Sequence, residues 1–427
     1  MLFNLFLSAI SYVLLQSHFV TATKSKGCGN EVASSLKRGG FGKSNDVPFI
    51  TSSGSKRTFL LHIPTSYDVN KATPLIFSFH GRSESGTGQE SKSRLSDETL
   101  NPDKFVVYPN GIDQQWQGDP AATSDDVSFV LDLIGSLEDE FCIDTDRIYS
   151  SGHSNGGGFS LNILACDATA SKKIAAFMGS AAATYQGTTD ANCHGATVPI
   201  KCNPGRKLIP ILETHGSADD TIAYNGGPRR QRCIPSAPHF VTEWAKRNGL
   251  GGDNTTTIRT SLVKEYQFGW KEGVPGLVTH YRVQGMGHAW PWESQGGGFD
   301  ATPVVLDFFN SHKLGSSVAK TSSETSHAAT SIASPPSVAK PTCPASDGKT
   351  FTTERGFKYA VHCASDSTGK LVTGVTNPGS FALCMAYCDG TAGCKSVSYD
   401  GACYMKGNAG KLIQKSTQGN RVAIRVS

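Results

Sequence analysis

Apolar and polar positions alternate along the chain in two ways, which together predict strands and helices in turn. RTFLLHIP (57–64) predicts a strand that ends at a proline, and PLIFSFHG (74–81) and FVVYPNG (105–111) predict strands buried on both faces. Apolar residues recur at helical spacing from 124 to 141, behind Ser124 as a predicted helix cap. Three more strands are predicted, in the segments RIYSSG, KIAAFMGS and LIPILETHG. Strands that alternate with helices favour an α/β fold with a mostly parallel, doubly wound sheet.

The apolar pattern stops near residue 313, and this break suggests how the 427-residue chain is organised. Residues 313–342 are dominated by Ser, Thr, Ala and Pro, a composition that cannot bury enough surface to fold. We therefore predict a large domain at 28–312, a linker at 313–342 and a small domain at 343–427. A chain of this length is expected to hold two or three such units.

The first residues form an apolar stretch, Leu2 to Leu15, followed by Val20-Thr21-Ala22. This predicts a signal peptide at 1–22 and a secreted, extracellular protein, because the stretch is short for the alternative of a membrane anchor. Twelve cysteines, six on each side of the linker, fit secretion and two separate disulfide sets. Asn254-Thr255-Thr256 is then a predicted glycosylation site.

Charge narrows the choice of partners. The formal net charge is +4, and no run of basic residues is interleaved with aromatics. We therefore expect no nucleic acid partner. No later segment is long and apolar enough to span a membrane, so we expect no membrane partner either.

One segment, YSSGHSNGGGFS, contains a Gly-x-Ser-x-Gly pattern centred on Ser154. A chain with 46 glycines can contain this pattern by chance, so the context must decide. Ser154 follows a predicted strand and precedes a predicted helix, which is the context of a nucleophile elbow. Gly152 and Gly156 fit that tight turn, because side chains at these positions would clash. Ser154 is therefore the candidate nucleophile.

A serine nucleophile on such a fold needs an acid and then a histidine later in the chain. The loop after LIPILETHG offers Asp219 and Asp220, either of which could be the acid. A later strand leads through a glycine-rich turn to His288, the candidate base. For the oxyanion hole we expect backbone N–H groups of Asn155 and Arg82.

The other histidines and tryptophans near these segments have less specific interpretations. His80 and His215 are expected to be structural. His153 lines the site or lies at the surface, and both alternatives stay open. Trp290 and Trp292 either pack in the core, which is the usual place of tryptophan, or form a substrate wall beside the histidine.

Six stretches in the large domain, taken together, resemble a known family. They are RTFLLHIPTSYD, PLIFSFHG, FVVYPNG with WQGDP, the long segment from DDVSF to NILAC, HGSADDTIAYNGG and GMGHAWPW. In this order they are similar to secreted fungal feruloyl esterases of carbohydrate esterase family 1, which are related to extracellular polyhydroxybutyrate depolymerases. The resemblance implies an α/β-hydrolase fold, with nucleophile, acid and base on Ser154, Asp219 and His288.

The resemblance also implies a reaction: hydrolysis of esters that join ferulate and related hydroxycinnamates to plant cell-wall xylan, with no cofactor and no metal. Feruloylated polysaccharide would be the partner. The alternatives on the same scaffold are an acetylxylan esterase and a polyhydroxybutyrate depolymerase. The chain departs from the family at FSFHGRSESG, where the cationic Arg82 would favour a negatively charged substrate group.

The small domain resembles PAN/Apple domains through FALCMAYCDGTAGCKSVSYDGACYMK. This resemblance implies a disulfide-rich α+β domain with pairs Cys384–Cys403, Cys388–Cys394 and Cys343–Cys363. Such a domain would bind carbohydrate or protein, with tyrosines as candidate contacts, each of them also a candidate for the core: Tyr359, Tyr387, Tyr399 and Tyr404. A binding protein with an inactive hydrolase domain is the alternative class for the whole chain.

Overall fold

The computed structural model describes residues 22–187, 190–292, 299–315, 341, 343–353, 357–370, 381, 384–385, 388, 393–399, 403–414 and 420–426. The predicted signal peptide lies outside the described residues except for residue 22. The predicted linker is described only at 313–315 and 341. Tyr387 also lies outside the described residues. The signal peptide and the linker, with their boundaries, therefore stay predictions.

The strands are β1 Asn45–Ile50, β2 Lys56–His62, β3 Thr73–Phe79, β4 Phe105–Pro109, β5 Ile143–Gly152, β6 Ala176–Ser180, β7 Ile211–Gly216, β8 Gly227–Arg229, β9 Arg232–Ile234, β10 Asn254–Ile258, β11 Val263–Phe268, β12 Val278–Val283, β13 Thr350–Thr352, β14 Lys358–Cys363, β15 Ser365–Ser367, β16 Ser396–Tyr399, β17 Cys403–Lys406, β18 Leu412–Gln414 and β19 Arg421–Arg425. The α-helices are α1 Gly86–Ser93, α2 Asp126–Glu140, α3 Asn155–Gly158, α4 Ala170–Lys173, α5 Ala237–Arg247 and α6 Ala301–Asn310.

The chain divides into two compact units. The described residues of unit one lie within 1–212, 225–239 and 301–316, and those of unit two lie within 213–224, 240–300 and 317–427. In unit one, six strands follow the order β1-β2-β4-β3-β5-β6. β3 is parallel to β4 and β5, and β5 is parallel to β6, whereas β1 and β2 pair antiparallel at the edge. The predicted α/β arrangement with parallel central strands is confirmed here.

The apolar runs form the core of unit one as predicted. All seven residues of β3 and all five residues of β4 are buried, which is typical of central strands covered on both faces. The helix predicted over 124–141 is α2, but its cap differs from the prediction. Asp125, not Ser124, accepts the hydrogen bond from the backbone N–H of Ser128. Ser124 donates instead to Asp126 at 2.9 Å, so the prediction of its capping role is wrong.

Unit two contains most of β7, followed in its sheet by β12, β11 and β10. The pairs β12–β11 and β11–β10 are antiparallel. A further sheet of five strands has the order β13-β14-β19-β16-β17, and β15 pairs with β18. The core beside the five-stranded sheet combines aliphatic, aromatic and cysteine side chains, including Tyr359, Val397 and Met405. None of the helices in the described part of the chain is long and apolar enough to cross a membrane.

Six disulfides join cysteines within the described residues. Unit one contains Cys28–Cys142, Cys166–Cys202 and Cys193–Cys233. Unit two contains Cys343–Cys363, Cys384–Cys403 and Cys388–Cys394, the same pairs that the PAN/Apple resemblance implies. No disulfide links the cysteines before residue 313 to those after residue 342.

Candidate active site

Ser154 lies at the sharp turn between β5 and the helix that begins at Asn155. Its backbone has φ 55° and ψ −118°, a conformation that costs free energy for a residue other than glycine. Hydrogen bonds hold the turn: the Ser154 N–H donates to the Ser180 carbonyl at 2.9 Å, and the Ser154 carbonyl accepts from Ala183 at 2.9 Å. A strained serine fixed between strand and helix is the geometry that the motif predicted.

The glycines around Ser154 are required by close backbone contacts. A Cβ atom on Gly152 would lie 2.4 Å from the backbone of Gly156. One on Gly156 would lie 2.2 Å from the carbonyl oxygen of Phe79, and one on Gly158 would lie 2.1 Å from that of Ala183. The packing of Gly152 against Gly156 is the clash that the sequence argument anticipated.

The loop after β3 lies directly against the serine, since a Cβ on Gly81 would be 3.3 Å from that of Ser154. His80 supports this loop. Its Nδ1 contacts the Gly81 carbonyl at 2.7 Å, and its Nε2 accepts from the Gly111 N–H at 3.0 Å. Nδ1 therefore carries the proton, and burial lowers the pKa of His80, which keeps the ring neutral. These contacts agree with a structural role, and Arg82, the next residue after Gly81, is 44% exposed in its side chain.

A second loop, around Trp116, anchors Asn155. The Asn155 side chain accepts from the Trp116 N–H at 2.7 Å and donates to the Trp116 carbonyl at 3.3 Å. Its backbone N–H remains the predicted oxyanion donor, together with that of Arg82. His153 is buried and accepts a hydrogen bond from Lys92 at 3.0 Å, so the surface alternative for His153 is wrong.

Unit two brings the predicted acid and base together. His288 Nδ1 lies 2.8 Å from Asp219 Oδ2, and Asp219 Oδ1 accepts from the N–H groups of Thr221 and Ile222 at 2.9 and 2.8 Å. Burial would raise the pKa of Asp219, but these histidine and backbone contacts outweigh it and hold that pKa well below its usual range. Asp219 is buried and Asp220 is exposed, so Asp219 takes the place beside His288.

A second carboxylate extends this pair into a buried network. Glu213 Oε1 lies 2.8 Å from His215 Nδ1, and Glu213 Oε2 lies 2.6 Å from His280 Nδ1. His215 Nε2 is 2.7 Å from the Ile222 carbonyl and 3.3 Å from Asp219. Both nitrogens of His215 thus face acceptors, and the ring is doubly protonated.

The pKa values in this network follow from competition between burial and charge. Burial alone would lower the pKa of His215, but the carboxylates of Glu213 and Asp219 raise it to about 10. Burial alone would raise the pKa of Glu213, but His215 and His280 lower it to about 2. The sequence predicted a structural role for His215 but did not predict that its ring is positively charged. Glu213 and His280 were not predicted. The alternation of Glu213 and His215 along the apolar strand LIPILETHG places both on one face of a strand, but it does not show that Glu213 is buried against His280.

The remaining predicted positions have simpler surroundings. Trp290 is 1% exposed, which favours core packing for this residue. Asn254 is exposed at the start of β10, where a glycan would meet solvent. In the small domain Tyr359 is fully buried, and Tyr399 and Tyr404 are partly buried. Tyr359 also hydrogen-bonds to Arg425, a contact typical of a core position.

The chain is similar in sequence to several proteins that are named as esterases, although no family model matches it. The chain is 31% identical over 244 residues to feruloyl esterase B of Piromyces equi, which covers 55% of this chain and 42% of that protein. It is 27% identical over 243 residues to the bifunctional acetylxylan esterase/xylanase XynS20E of Neocallimastix patriciarum, covering 55% of this chain and 31% of that protein. The chain therefore matches less than half the length of these two relatives.

A probable feruloyl esterase C of Aspergillus flavus is 24% identical over 316 residues, covering 69% of this chain and 93% of the relative. Among solved structures, an acetyl xylan esterase from Aspergillus awamori has a TM-score of 0.44 at 14% identity, covering 63% of this chain and 99% of that chain. A CE1 ferulic acid esterase from Anaeromyces mucronatus has a TM-score of 0.39 at 15% identity, covering 65% and 96%. The relatives found by sequence are ester hydrolases by name, and the prediction of an ester hydrolase agrees with them.

Proposed function

We propose that the chain is a serine carboxylic-ester hydrolase that releases ferulate and related hydroxycinnamates from plant cell-wall xylan. The observation that carries this proposal is Ser154, held with φ 55° at a glycine-lined turn between strand and helix. A non-glycine residue keeps such a conformation only where the surrounding structure enforces it, and functional sites are where this strain concentrates. The named substrates of feruloyl esterase B and the feruloyl esterase C relative support the acyl group.

In the proposed mechanism Ser154 attacks the ester carbonyl and forms an acyl-enzyme. His288 takes the serine proton and gives it to the leaving sugar alcohol, and water then releases the acid by the reverse proton path. Asp219 holds Nδ1 of His288 and stabilises its charged form, and the 2.8 Å contact supports this role. The N–H groups of Asn155 and Arg82 would stabilise the oxyanion.

The finer assignments belong to the same proposal. We propose an α/β-hydrolase domain over 28–312, secretion directed by residues 1–22, a glycan on Asn254 and a PAN/Apple-like binding domain over 343–427. The three disulfides of the small domain and its own five-stranded sheet support the last assignment. The similarity to a bifunctional acetylxylan esterase/xylanase supports acetylxylan hydrolysis as a second candidate.

Hydrolysis of methyl ferulate beside 4-nitrophenyl acetate tests the proposal. We expect the wild type to cleave methyl ferulate and Ser154→Ala to fall to background, a loss of at least about 10³-fold. Ser160→Ala is the matched control: this buried serine hydrogen-bonds to Ser150, and its loss should leave turnover measurable. If the wild type cleaves only the acetyl ester, the proposed feruloyl specificity is wrong and acetyl specificity takes its place.

A fluorophosphonate probe separates the enzyme from the alternative of a binding protein. We expect the probe to label the wild type and Ser160→Ala but not Ser154→Ala. A folded wild-type protein that neither reacts with the probe nor cleaves either ester would overturn the proposed activity in favour of a binding role.

A further inference from the structure

We infer that a cluster of three arginines beside Ser154 binds a carboxylate carried by the ester substrate. The cluster, named here the arginine site, consists of Arg82, Arg229 and Arg230. This inference rests on the proposed function and names a class of substrate for it: esters whose acyl or alcohol part is acidic.

Two of these arginines converge on one buried carboxylate. Arg82 Nε lies 3.7 Å from Asp119 Oδ2, and Arg230 Nη2 lies 3.2 Å from Asp119 Oδ1. The side chain of Asp119 is 1% exposed, whereas those of Arg82 and Arg230 are 44% and 31% exposed. Solvent, and therefore a ligand, reaches the guanidinium groups but not the carboxylate between them.

The third arginine is the neighbour of Arg230 in the same hairpin. Arg229 is the last residue of β8 and pairs with Arg232 across the turn. Burial raises the pKa of the Tyr185 hydroxyl, and the guanidinium of Arg229 opposes this rise. Among the described atoms, Arg229 Nε is a buried donor without a hydrogen-bond partner. A buried donor left unpaired is costly, and an acceptor from a ligand would remove that cost.

The arginine site is adjacent to the nucleophile within unit one. Gly81, the neighbour of Arg82, packs against Ser154, as its Cβ position 3.3 Å from that of Ser154 shows. Asp119 is bonded through its N–H to the carbonyl of Trp116, and the backbone of Trp116 is bonded to the Asn155 side chain. Arg82 therefore follows a residue that touches the serine turn, and Asp119, the carboxylate between Arg82 and Arg230, is connected to the same turn through Trp116 and Asn155.

Charge is not balanced at the arginine site. Arg82 and Arg230 share the single carboxylate of Asp119, and Arg229, the neighbour of Arg230 in the chain, adds a third guanidinium, so that two positive charges are left over. The nearby carboxylates are already paired elsewhere: Glu84 binds Lys92 at 2.6 Å, and Asp126 binds Arg57 at 2.8 Å. Each guanidinium has five N–H donors in a plane, a geometry that matches a second carboxylate.

The β8–β9 hairpin, which carries Arg229 and Arg230, has a strained backbone at its turn. Arg230 and Gln231 form its turn with φ 51° and 58°, where Asn-Gly or Gly-Gly would be the relaxed choice. The Cys193–Cys233 disulfide and the pairing of Cys233 with Gln186 fix its base. The strained turn is thus held by a disulfide, and it carries Arg230 at its tip, as expected of a position where strain accompanies a functional side chain.

Two matched substrate pairs test the inference on the intact protein. The acyl pair is 4-nitrophenyl hydrogen succinate against 4-nitrophenyl butyrate. The alcohol pair is an acetyl ester of glucuronic acid against the same ester of glucose. The readout is the acidic-to-neutral ratio of kcat/KM within each pair, which cancels any general loss of activity.

We expect that ratio to exceed one in the wild type for one of the two pairs, which also identifies the part of the substrate that carries the charge. It should fall about tenfold in Arg230→Gln and further in Arg82→Gln/Arg230→Gln, because charge-assisted hydrogen bonds are lost. Added salt should lower the ratio in the wild type. Arg232→Gln, an exposed change on the same hairpin that lies outside the arginine site, should leave the ratio unchanged.

Each outcome decides between the two proposals. Turnover of the neutral esters with a ratio unaltered by the arginine variants would overturn the arginine site alone. A wild type that cleaves methyl ferulate but prefers the acidic ester in neither pair would also overturn the arginine site alone. A wild type that turns over neither these esters nor methyl ferulate would overturn the proposed function and, with it, this inference.

Discussion

Replacing the buried carboxylate of Glu213 by an amide in Glu213→Gln should destabilise unit two and change how its stability depends on pH. In the wild type, Glu213 contacts His215 at 2.8 Å and His280 at 2.6 Å inside the protein. Removing one partner of a buried ion pair costs about 3–5 kcal/mol, because the remaining charge is left uncompensated. We therefore expect the free energy of unfolding to fall by about 3–5 kcal/mol at pH 6.

The pH dependence follows from the raised pKa of His215. Its value of about 10 in the folded protein compares with 6.5 for an unperturbed histidine. The folded state therefore gains stability from His215 below pH 6.5 and loses it as pH rises toward 10. At about 1.4 kcal/mol per pKa unit this contribution is at most about 5 kcal/mol. Glu213→Gln lacks the charge that raises this pKa, so the difference between wild type and variant should shrink by about 2–4 kcal/mol from pH 6 to 9.5.

Urea unfolding with intact disulfides measures this difference. Tryptophan fluorescence suits the purpose, because Trp244, Trp270, Trp290 and Trp292 belong to unit two. Glu265→Gln is the control: Glu265 is equally buried but pairs with Arg259, which stays charged at every pH used. Its destabilisation should be the same at both pH values. A Glu213→Gln deficit that stays constant from pH 6 to 9.5 would refute the assignment of a charged His215.

Further predictions concern the elbow, a buried ion pair and the surface. Gly156→Ala should abolish activity and lower Tm by many degrees, because its Cβ would lie 2.2 Å from a carbonyl oxygen. Gly135→Ala has open space around its Cβ in a helix and should stabilise the protein by about 0.5–1 kcal/mol in thermal unfolding. Equal Tm changes would contradict this. Asp126→Asn should cost about 3–5 kcal/mol in urea unfolding, because it strands the buried Arg57 guanidinium, and a cost under about 1 kcal/mol would count against that ion pair. Asn254→Gln should remove a glycan mass from secreted protein in mass spectrometry, and an unchanged mass would exclude glycosylation there.

Much of unit one could be predicted from the sequence, because its strands are continuous apolar runs. The segments PLIFSFHG and FVVYPNG became β3 and β4, and the serine turn came with glycines whose need is steric and therefore local. The predicted cap of α2 missed by one residue, from Ser124 to Asp125. Two candidate caps side by side cannot be ranked by type alone. Ser124 donates to Asp126, two residues later, and the carboxylate of Asp126 is held by the distant Arg57.

The network around Glu213 could not be predicted, because its members come from different parts of the chain. Glu213 and His215 lie two residues apart on one strand, but His280 is on another, and their distances depend on strand register. Glu213 appears in sequence as an ordinary charged residue, and nothing local shows that it is buried. The same holds for Asp119 and Arg230, which are far apart in sequence and meet only in the folded unit.

The glycines around Ser154 also determine where this scaffold can vary. At Gly152, Gly156 and Gly158 a backbone atom already occupies the space of the missing side chain, within 2.4 Å. Any larger residue at these glycines would clash with the backbone around the nucleophile. Substitutions there are therefore expected to destabilise the protein and not to change its substrate specificity. Diversity in substrate choice must come from the surrounding loops and the β8–β9 hairpin, and a directed-evolution library for this protein belongs there.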